Sequence, residues 1–305
     1  MRLYSSVIDA MKSVLTMLFA AFLISTSSVW VRLAEMAPSV SGFYRMAIGG
    51  VLLIAICLFQ KRRLWVSGQY LSQLFLVAVF FAADLWLWHR SIIYVGPGLA
   101  TVLGNFQVFF MTLFGVLFLN EKIGWRFLLG LALTFFGLFL LVGIHWSELN
   151  ADYRLGVFYG IATALAYTGF MVSLRRVQGQ DGALSAMANL GVMSILCALI
   201  LVIEAVVTQQ SLMMSTWTAL GSMLALGVLC QVIGWVLITR TMPLLPVSLV
   251  GLLLLLQPAM SMVWDVLFFD RPMSNNDYWG LLLVLSGIYL ATLKRRRQQA
   301  ASQSA

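Results

Sequence analysis

Long apolar runs separated by short polar segments dominate the chain. A hydrocarbon core of about 30 Å needs about 20 apolar residues per helix, and ten runs approach that length. We name them spans 1 to 10 in chain order. They cover approximately Ser13–Val31, Pro38–Phe59, Tyr70–Trp88, Gly98–Phe118, Gly124–Gly143, Leu155–Leu174, Ala183–Val207, Trp217–Thr239, Val247–Phe268 and Tyr278–Leu293.

These spans are predicted to be helices rather than strands of a membrane barrel. Barrel strands alternate apolar and polar side chains with a period of two. Runs such as Val250–Leu256, a glycine among leucines and a valine, do not alternate. The pattern therefore predicts an all-α integral membrane protein of ten transmembrane helices, with linkers too short to hold a separate soluble domain.

Composition excludes ordinary soluble enzymes. Hydrophobic residues make up 61% of the 305 residues and charged residues 10%, with a mean hydropathy of +0.94. Soluble domains run at roughly 45–50% and 25%. The three cysteines, Cys57, Cys197 and Cys230, fall inside apolar runs and are interpreted as small core residues.

The nineteen basic residues predict the orientation in the membrane. If ten spans alternate, fourteen lysines and arginines lie on the side that holds both termini and the loops after spans 2, 4, 6 and 8. Four lie on the other side, and Arg45 is inside a span. By the positive-inside rule both termini are cytoplasmic. The net charge of +8 thus reports orientation, and no nucleic acid is expected as a partner.

The two halves of the chain resemble each other. Trp86 and Trp235, Pro97 and Pro246, and Glu121 and Asp270 are each separated by 149 residues. The next span in each half repeats two glycines seven apart, at positions 130 and 137 and at positions 280 and 287. Five is odd, so the second copy enters the membrane from the opposite side. We therefore predict two inverted five-helix repeats, residues 1–150 and 151–293, followed by a basic cytoplasmic tail, 294–305.

Local motifs resemble a known family. Ile92–Ala100, then Leu119–Ile123, then the span with Gly130 and Gly137, resemble the EamA repeat of the drug/metabolite transporter superfamily. In the second half, Gln257–Pro258 and Phe268–Pro272 resemble the same repeat. Two positions depart from the pattern. Phe109 stands where the second copy has Pro258, and Asp270 stands where the family usually has glutamate.

The resemblance covers essentially the whole chain and implies a ten-helix carrier. Members of this family are usually exporters of amino acids, metabolites or amphiphilic compounds, and the aromatic amino acid exporters are among them. The resemblance implies a fold and a class but no substrate. We therefore expect a multi-pass secondary transporter in the inner (plasma) membrane that exports amino acids or related small metabolites by alternating access, without ATP or a cofactor.

Polar side chains inside the spans are the candidates for substrate binding. Polar groups are rare in lipid and need partners. We assign hydrogen-bonding roles to four of them: Asn105, Tyr167, Gln231 and Gln257. The alternative for each is a contact that only joins two helices, worth about 0.6 kcal/mol on average.

Two charges lie at similar depth, Arg45 in span 2 and Asp84 in span 3. A salt bridge between them is the simplest expectation, with Glu35 as a competing partner. The pair could be a structural clasp or a site where a substrate's ammonium and carboxylate compete with it. Asp84 is also the best candidate for coupling to protons.

Trp86 and Trp235 are predicted to form apolar walls of a substrate cavity, with ordinary packing as the alternative. Pro97 and Pro246 are either matched pivots or ordinary helix starts. No cluster of histidine, cysteine and acidic residues has metal-ligand spacing, and no nucleophile elbow or phosphate loop is visible. A multidrug exporter of lipophilic cations is the main alternative function, and a membrane-embedded enzyme or receptor is a remote one.

Overall fold

The computed structural model describes residues 2–142, 151–269 and 275–293, and every regular element in them is helical. The tail at 294–305 and the motif residue Asp270 lie outside the described residues. The α-helices are α1 (Arg2–Ser25), α2 (Ser27–Ala34), α3 (Pro38–Phe59), α4 (Gly68–Gly104), α5 (Gln107–Leu119), α6 (Trp125–Val142), α7 (Ala151–Gln178), α8 (Ala186–Val207), α9 (Trp217–Ala225), α10 (Trp235–Thr241), α11 (Val247–Leu254), α12 (Leu256–Phe269) and α13 (Asn275–Leu293). A π-helix, Leu226–Gly234, joins α9 to α10, and a short 3-10 turn, Met242–Leu244, follows α10.

The fold is all-α and built for a bilayer. Seven helical segments are long and apolar enough to cross a membrane, and two shorter apolar helices accompany them. The long segments are Met11–Ala34, Ser39–Phe59, Gly68–Trp88, Ala151–Gln178, Ala186–Val207, Trp217–Leu244 and Val247–Phe269. The architecture is compatible with ten spans, and the count of ten stays a prediction.

Spans 3 and 4 are not separated by a loop, contrary to the sequence prediction. Helical backbone continues from Gly68 through Pro97 to Gly104. The helix nevertheless folds back on itself, because Ser91 Oγ and Leu103 Cβ both lie within 3.0 Å of where a Cβ on Gly160 would be. Twelve residues of straight helix would separate them by about 18 Å. The predicted reversal of chain direction is therefore present, and α7 packs against both segments of α4, the one before the reversal and the one after it.

Several spans are interrupted instead of continuous. Span 1 breaks at Thr26 between α1 and α2, span 4 at residues 105–106 between α4 and α5, and span 9 at Leu255 between α11 and α12. The breaks in spans 4 and 9 occupy equivalent positions in the two repeats. At the first break, the freed backbone is satisfied locally, since Thr26 Oγ1 donates to the Leu23 carbonyl at 2.7 Å.

Helix packing follows the repeat. Repeat mates pack on each other across the centre, namely α3 on α8, α5 on α11, and α6 on α13. The remaining large contact, α4 on α7, joins span 3 to span 6. Its counterpart under exchange of the repeats joins span 8 to span 1, and α1 does pack on α10 and the π-helix. The contacts are therefore symmetric under exchange of the two halves.

The crossing of α6 and α13 depends on glycine. A Cβ on Gly137 would lie 2.5 Å from the Gly280 carbonyl oxygen, and a Cβ on Gly130 would lie 2.6 Å from the Gly287 carbonyl oxygen. Both obstacles are backbone atoms, which cannot rotate away. The repeated glycines thus set how closely the two helices approach.

We expect Gly137→Ala to destabilise the protein by about 1–3 kcal/mol, the usual cost of overpacking. The measurement is the free energy of unfolding of the variant and of the wild-type protein in detergent micelles or bicelles. Gly221→Ala is the matched control, because a Cβ there meets nothing within 4 Å. Equal stability of the two variants would show that the crossing tolerates a side chain.

Candidate functional site

The centre of the candidate site is Arg45, in the second turn of α3. Its Nε donates to Gln231 Oε1 at 3.1 Å, and Gln231 Nε2 donates to Ser194 Oγ at 2.9 Å. Gln231 and Ser194 are both fully buried. Three helical segments thus meet through one hydrogen-bonded chain of side chains, and the amide of Gln231 can face Arg45 in one orientation only.

Local backbone geometry places Gln231 against α3. Gln231 belongs to the π-helix Leu226–Gly234, an irregularity that is frequent at functional sites. A Cβ on Gly49 would lie 2.7 Å from Gln231 Cβ, and a Cβ on Gly227 would lie 2.8 Å from Ile48 Cβ. The two segments can approach this closely because each has glycine at the contact.

Asp84 and Tyr167 lie near the same guanidinium. Arg45 interacts electrostatically with both side chains, and Asp84 also interacts with Tyr167. Asp84 is buried at 7% exposure. The predicted salt bridge is not formed: among the described residues, no carboxylate oxygen of Asp84 lies within 4.0 Å of a guanidinium nitrogen of Arg45, whose Nε bonds Gln231 instead.

An aromatic cluster adjoins this polar group. The Trp235 ring lies 5.5 Å from Phe81, 5.1 Å from Phe170 and 6.4 Å from Tyr167, measured between centroids. Trp235 is 2% exposed, and its Nε1 has no hydrogen-bond partner in the part of the chain that the structure describes. A buried indole N–H without a partner is costly.

Five of the eight residues proposed from the sequence are therefore brought together, and three are not. Trp86 packs elsewhere, with the Arg90 guanidinium 3.7 Å from its ring centroid and Tyr159 beside it. Asn105 is buried at the break in span 4. Gln257 is half-buried in the first turn of α12.

Sequence reasoning missed three contributors to the site. Ser194 is an unremarkable serine in an apolar run, and only its contact with Gln231 distinguishes it. Phe81 and Phe170 are two of twenty phenylalanines, stacked at 4.3 Å. These side chains contribute to the site through contacts between distant spans, which no local sequence pattern reveals.

The arrangement can bind a molecule that carries both charges. The Nη groups of Arg45 and the carboxylate of Asp84 have no hydrogen-bond partner among the described residues. Hydrogen bonds to charged groups contribute about 1.5–3 kcal/mol each. No group of three or more potential metal ligands occurs in the described ranges.

Removing the anchor of Gln231 is expected to loosen Arg45. In Ser194→Ala we expect a five- to tenfold rise in KM for the molecule that binds at Arg45, because the Gln231 amide loses the bond that fixes its orientation, worth about 1 kcal/mol. Thr163→Val is the control, since Thr163 is equally buried and its hydroxyl has no partner in the described residues. An unchanged KM in Ser194→Ala would remove the serine from the site.

Comparison with known proteins agrees with this architecture. The EamA-like transporter family model matches residues 11–143 and residues 154–293, one match for each half. The chain belongs to the EamA-like transporter family. It is thus a multi-pass membrane transporter of the plasma membrane with two EamA repeats, as the sequence predicted.

Individual relatives extend the family match. The chain is 25% identical over 278 residues to the uncharacterized transporter YvbV of Bacillus subtilis (strain 168), covering 88% of this chain and 87% of that protein. An uncharacterized transporter of Haemophilus influenzae is 26% identical over 132 residues, 42% of this chain and 43% of its own. One crystal structure has the same fold, with a TM-score of 0.80 at 17% identity, over 92% of this chain and 98% of the other.

Proposed function

We propose that this EamA transporter is a secondary carrier that exports zwitterionic amino acids or related small metabolites across the inner membrane. The observation that supports this substrate class is the site around Arg45. The opposite charges of the half-buried Arg45 and the buried Asp84 lie in one cluster without a direct bond between them. A zwitterion supplies the two missing partners at once.

In the binding step, the substrate carboxylate accepts hydrogen bonds from the Arg45 Nη groups, while Gln231 holds Nε. The substrate ammonium donates to Asp84. Buried charges are costly unless they are paired, so the loaded site is more stable than the empty one. Tyr167 and Trp235 contribute the hydroxyl, the indole N–H and the apolar surface beside these charges.

We propose alternating access as the transport step. The symmetric packing of the two repeats supports it, because exchanging the conformations of the repeats would expose the same site to the opposite side. The breaks in spans 4 and 9 give each repeat a discontinuous helix at an equivalent position. Pro246, which precedes Val247 of α11 in an extended conformation, is a suitable pivot.

Export of lipophilic cations is the second candidate. One observation favours it: Asp84 has no direct ion pair with Arg45, which leaves a buried carboxylate able to bind a cation. The nearby positive charge of Arg45 opposes this binding. We therefore rank it below the zwitterion carrier.

The test is uptake into liposomes that contain the purified protein. Labelled amino acids, nucleosides and cationic dyes are compared, each with and without a pH gradient. The proposal expects amino acid uptake above that of protein-free liposomes. Uptake of dyes alone would replace it with the cation exporter, and uptake of no solute under any gradient would reject the carrier. Asp84→Asn tests proton coupling, since retained pH-driven accumulation would remove Asp84 from that role.

A further inference from the structure

A second contact between the repeats, from the half-buried Glu121, lies at the side of the membrane where the basic residues are predicted to concentrate. Glu121 Oε1 accepts from the Val247 backbone N–H at 2.7 Å. Its Oε2 accepts from the Ser248 N–H at 3.3 Å and from the Ser248 hydroxyl at 2.5 Å. A side chain from the first repeat therefore caps the first turn of α11 in the second repeat.

The backbone after α5 is shaped to make this contact. Asn120 adopts a left-handed conformation with φ of 52°, and the Glu121 N–H donates to the Gly115 carbonyl at 2.9 Å. The carboxylate folds against Gly115, where a Cβ would lie 2.7 Å from Oε2. The turn thus aims the side chain back along α5 instead of toward water.

Arg175 binds the turn that precedes α11. Its Nη1 donates to the carbonyls of Met242 and Leu245, the two ends of the turn that precedes α11. The guanidinium also interacts electrostatically with Glu121. Met242, Leu245 and Val247 are all at most 3% exposed. The segment between α10 and α11 is thereby fixed from both sides.

We propose that Glu121 is a latch that closes this side of the carrier by holding the start of α11, and that it must let go before solute can enter from that side. The inference rests on the proposed alternating access. An orphan N–H pair at a helix start favours a carboxylate, and Glu121 supplies one from the opposite repeat. Releasing it frees the start of α11 from the segment that follows α5, without breaking any hydrogen bond inside either repeat.

The latch also explains a feature of the repeat. The two partners of the contact are the carboxylate of Glu121 and the start of α11, which Pro246 precedes. Both have counterparts at an offset of 149 residues, Asp270 and Pro97. Asp270 lies outside the described residues, so this correspondence is one of sequence.

The experiment measures access to a buried position beside the latch. Leu245→Cys is introduced into a chain whose native cysteines are replaced by alanine, and a membrane-impermeant maleimide is applied from the basic side. Glu121→Gln keeps the shape but turns an amide NH2 toward the Ser248 donors. In the chain that also carries Glu121→Gln, we expect the cysteine introduced at position 245 to be labelled about ten times faster than in the chain that keeps Glu121, as losing a charged hydrogen bond implies.

Lys122→Gln is the matched control, because Lys122 is the exposed neighbour and has no part in the contact. It should label at the parental rate. A parental rate in folded Glu121→Gln would overturn the latch. If Glu121→Gln does not fold, Ser248→Ala decides: labelling raised about threefold supports the latch, and an unchanged rate rejects it. The assay needs no substrate, so its result is independent of whether amino acids are transported.

Discussion

Arg45→Ala is expected to lower kcat/KM for amino acid transport about 100-fold, the largest effect that we predict. The change removes the donors for the substrate carboxylate, worth about 1.5–3 kcal/mol, and leaves Asp84 as a lone buried charge. Uptake into liposomes at several substrate concentrations gives the value. Folding is checked by size exclusion and thermal unfolding.

Arg45→Lys is the matched variant. Lysine keeps the charge but lacks the planar fork, so it cannot bond Gln231 through Nε and also bind a carboxylate in the same plane. We expect a loss between those of wild type and Arg45→Ala. Wild-type transport in folded Arg45→Ala would place the binding site elsewhere.

Asp84→Asn is expected to change selectivity more than overall folding. The carboxamide is nearly isosteric but provides no negative charge for the substrate ammonium. Transport of an amino acid should fall about 10- to 100-fold, whereas transport or binding of its deaminated analogue should not fall and is expected to improve. Competition between the two analogues in wild type and variant measures the difference.

Asn105→Ala is a useful comparison, since Asn105 is another buried polar side chain, which the structure places at the helix break in span 4. It should lower both transport rates by the same factor, if at all. Parallel losses for zwitterion and deaminated analogue in Asp84→Asn would contradict ammonium recognition by Asp84.

Much of the fold could be predicted from the sequence because lipid imposes strong rules. Long apolar runs and the offset of 149 residues led to helical spans and two repeats, both of which agree with the family match. The break at Thr26 could not be predicted, since no proline lies near it, whereas the break at Leu255 lies three residues before Pro258, which has no N–H to donate to the Leu254 carbonyl. At Thr26 the Leu23 carbonyl accepts from the hydroxyl of Thr26 itself, and the Ser25 carbonyl accepts from Ser261 of span 9.

The site was predicted in part. Arg45, Asp84 and Gln231 were identifiable because charged and amide groups are expensive in lipid. Their mutual contacts were not: Arg45 bonds Gln231 through its Nε and forms no salt bridge with Asp84 among the described residues. Trp86 was chosen as the repeat mate of Trp235, but an inverted repeat places mates in opposite halves of the membrane. The two tryptophans therefore have different surroundings, Arg90 for one and Phe170 for the other.

Glu121 is a second residue whose contacts could not be predicted from the sequence. Its position in the motif Leu119–Ile123 marked it only as part of the scaffold. The structure shows its carboxylate bound to the backbone of the opposite repeat. The contact on which the proposed latch rests becomes visible only when its partner, distant in sequence, is known.

The most direct test of the zwitterion carrier compares leucine with two analogues that each lack one charged group. Wild-type protein in liposomes is given labelled leucine in competition with isopentylamine, which lacks the carboxylate, or 4-methylpentanoate, which lacks the ammonium. We expect leucine to be transported and each analogue to compete at least tenfold more weakly, because Arg45 and Asp84 bind the two charged groups of leucine together. Equal or stronger competition by isopentylamine would contradict it and would favour the cation exporter.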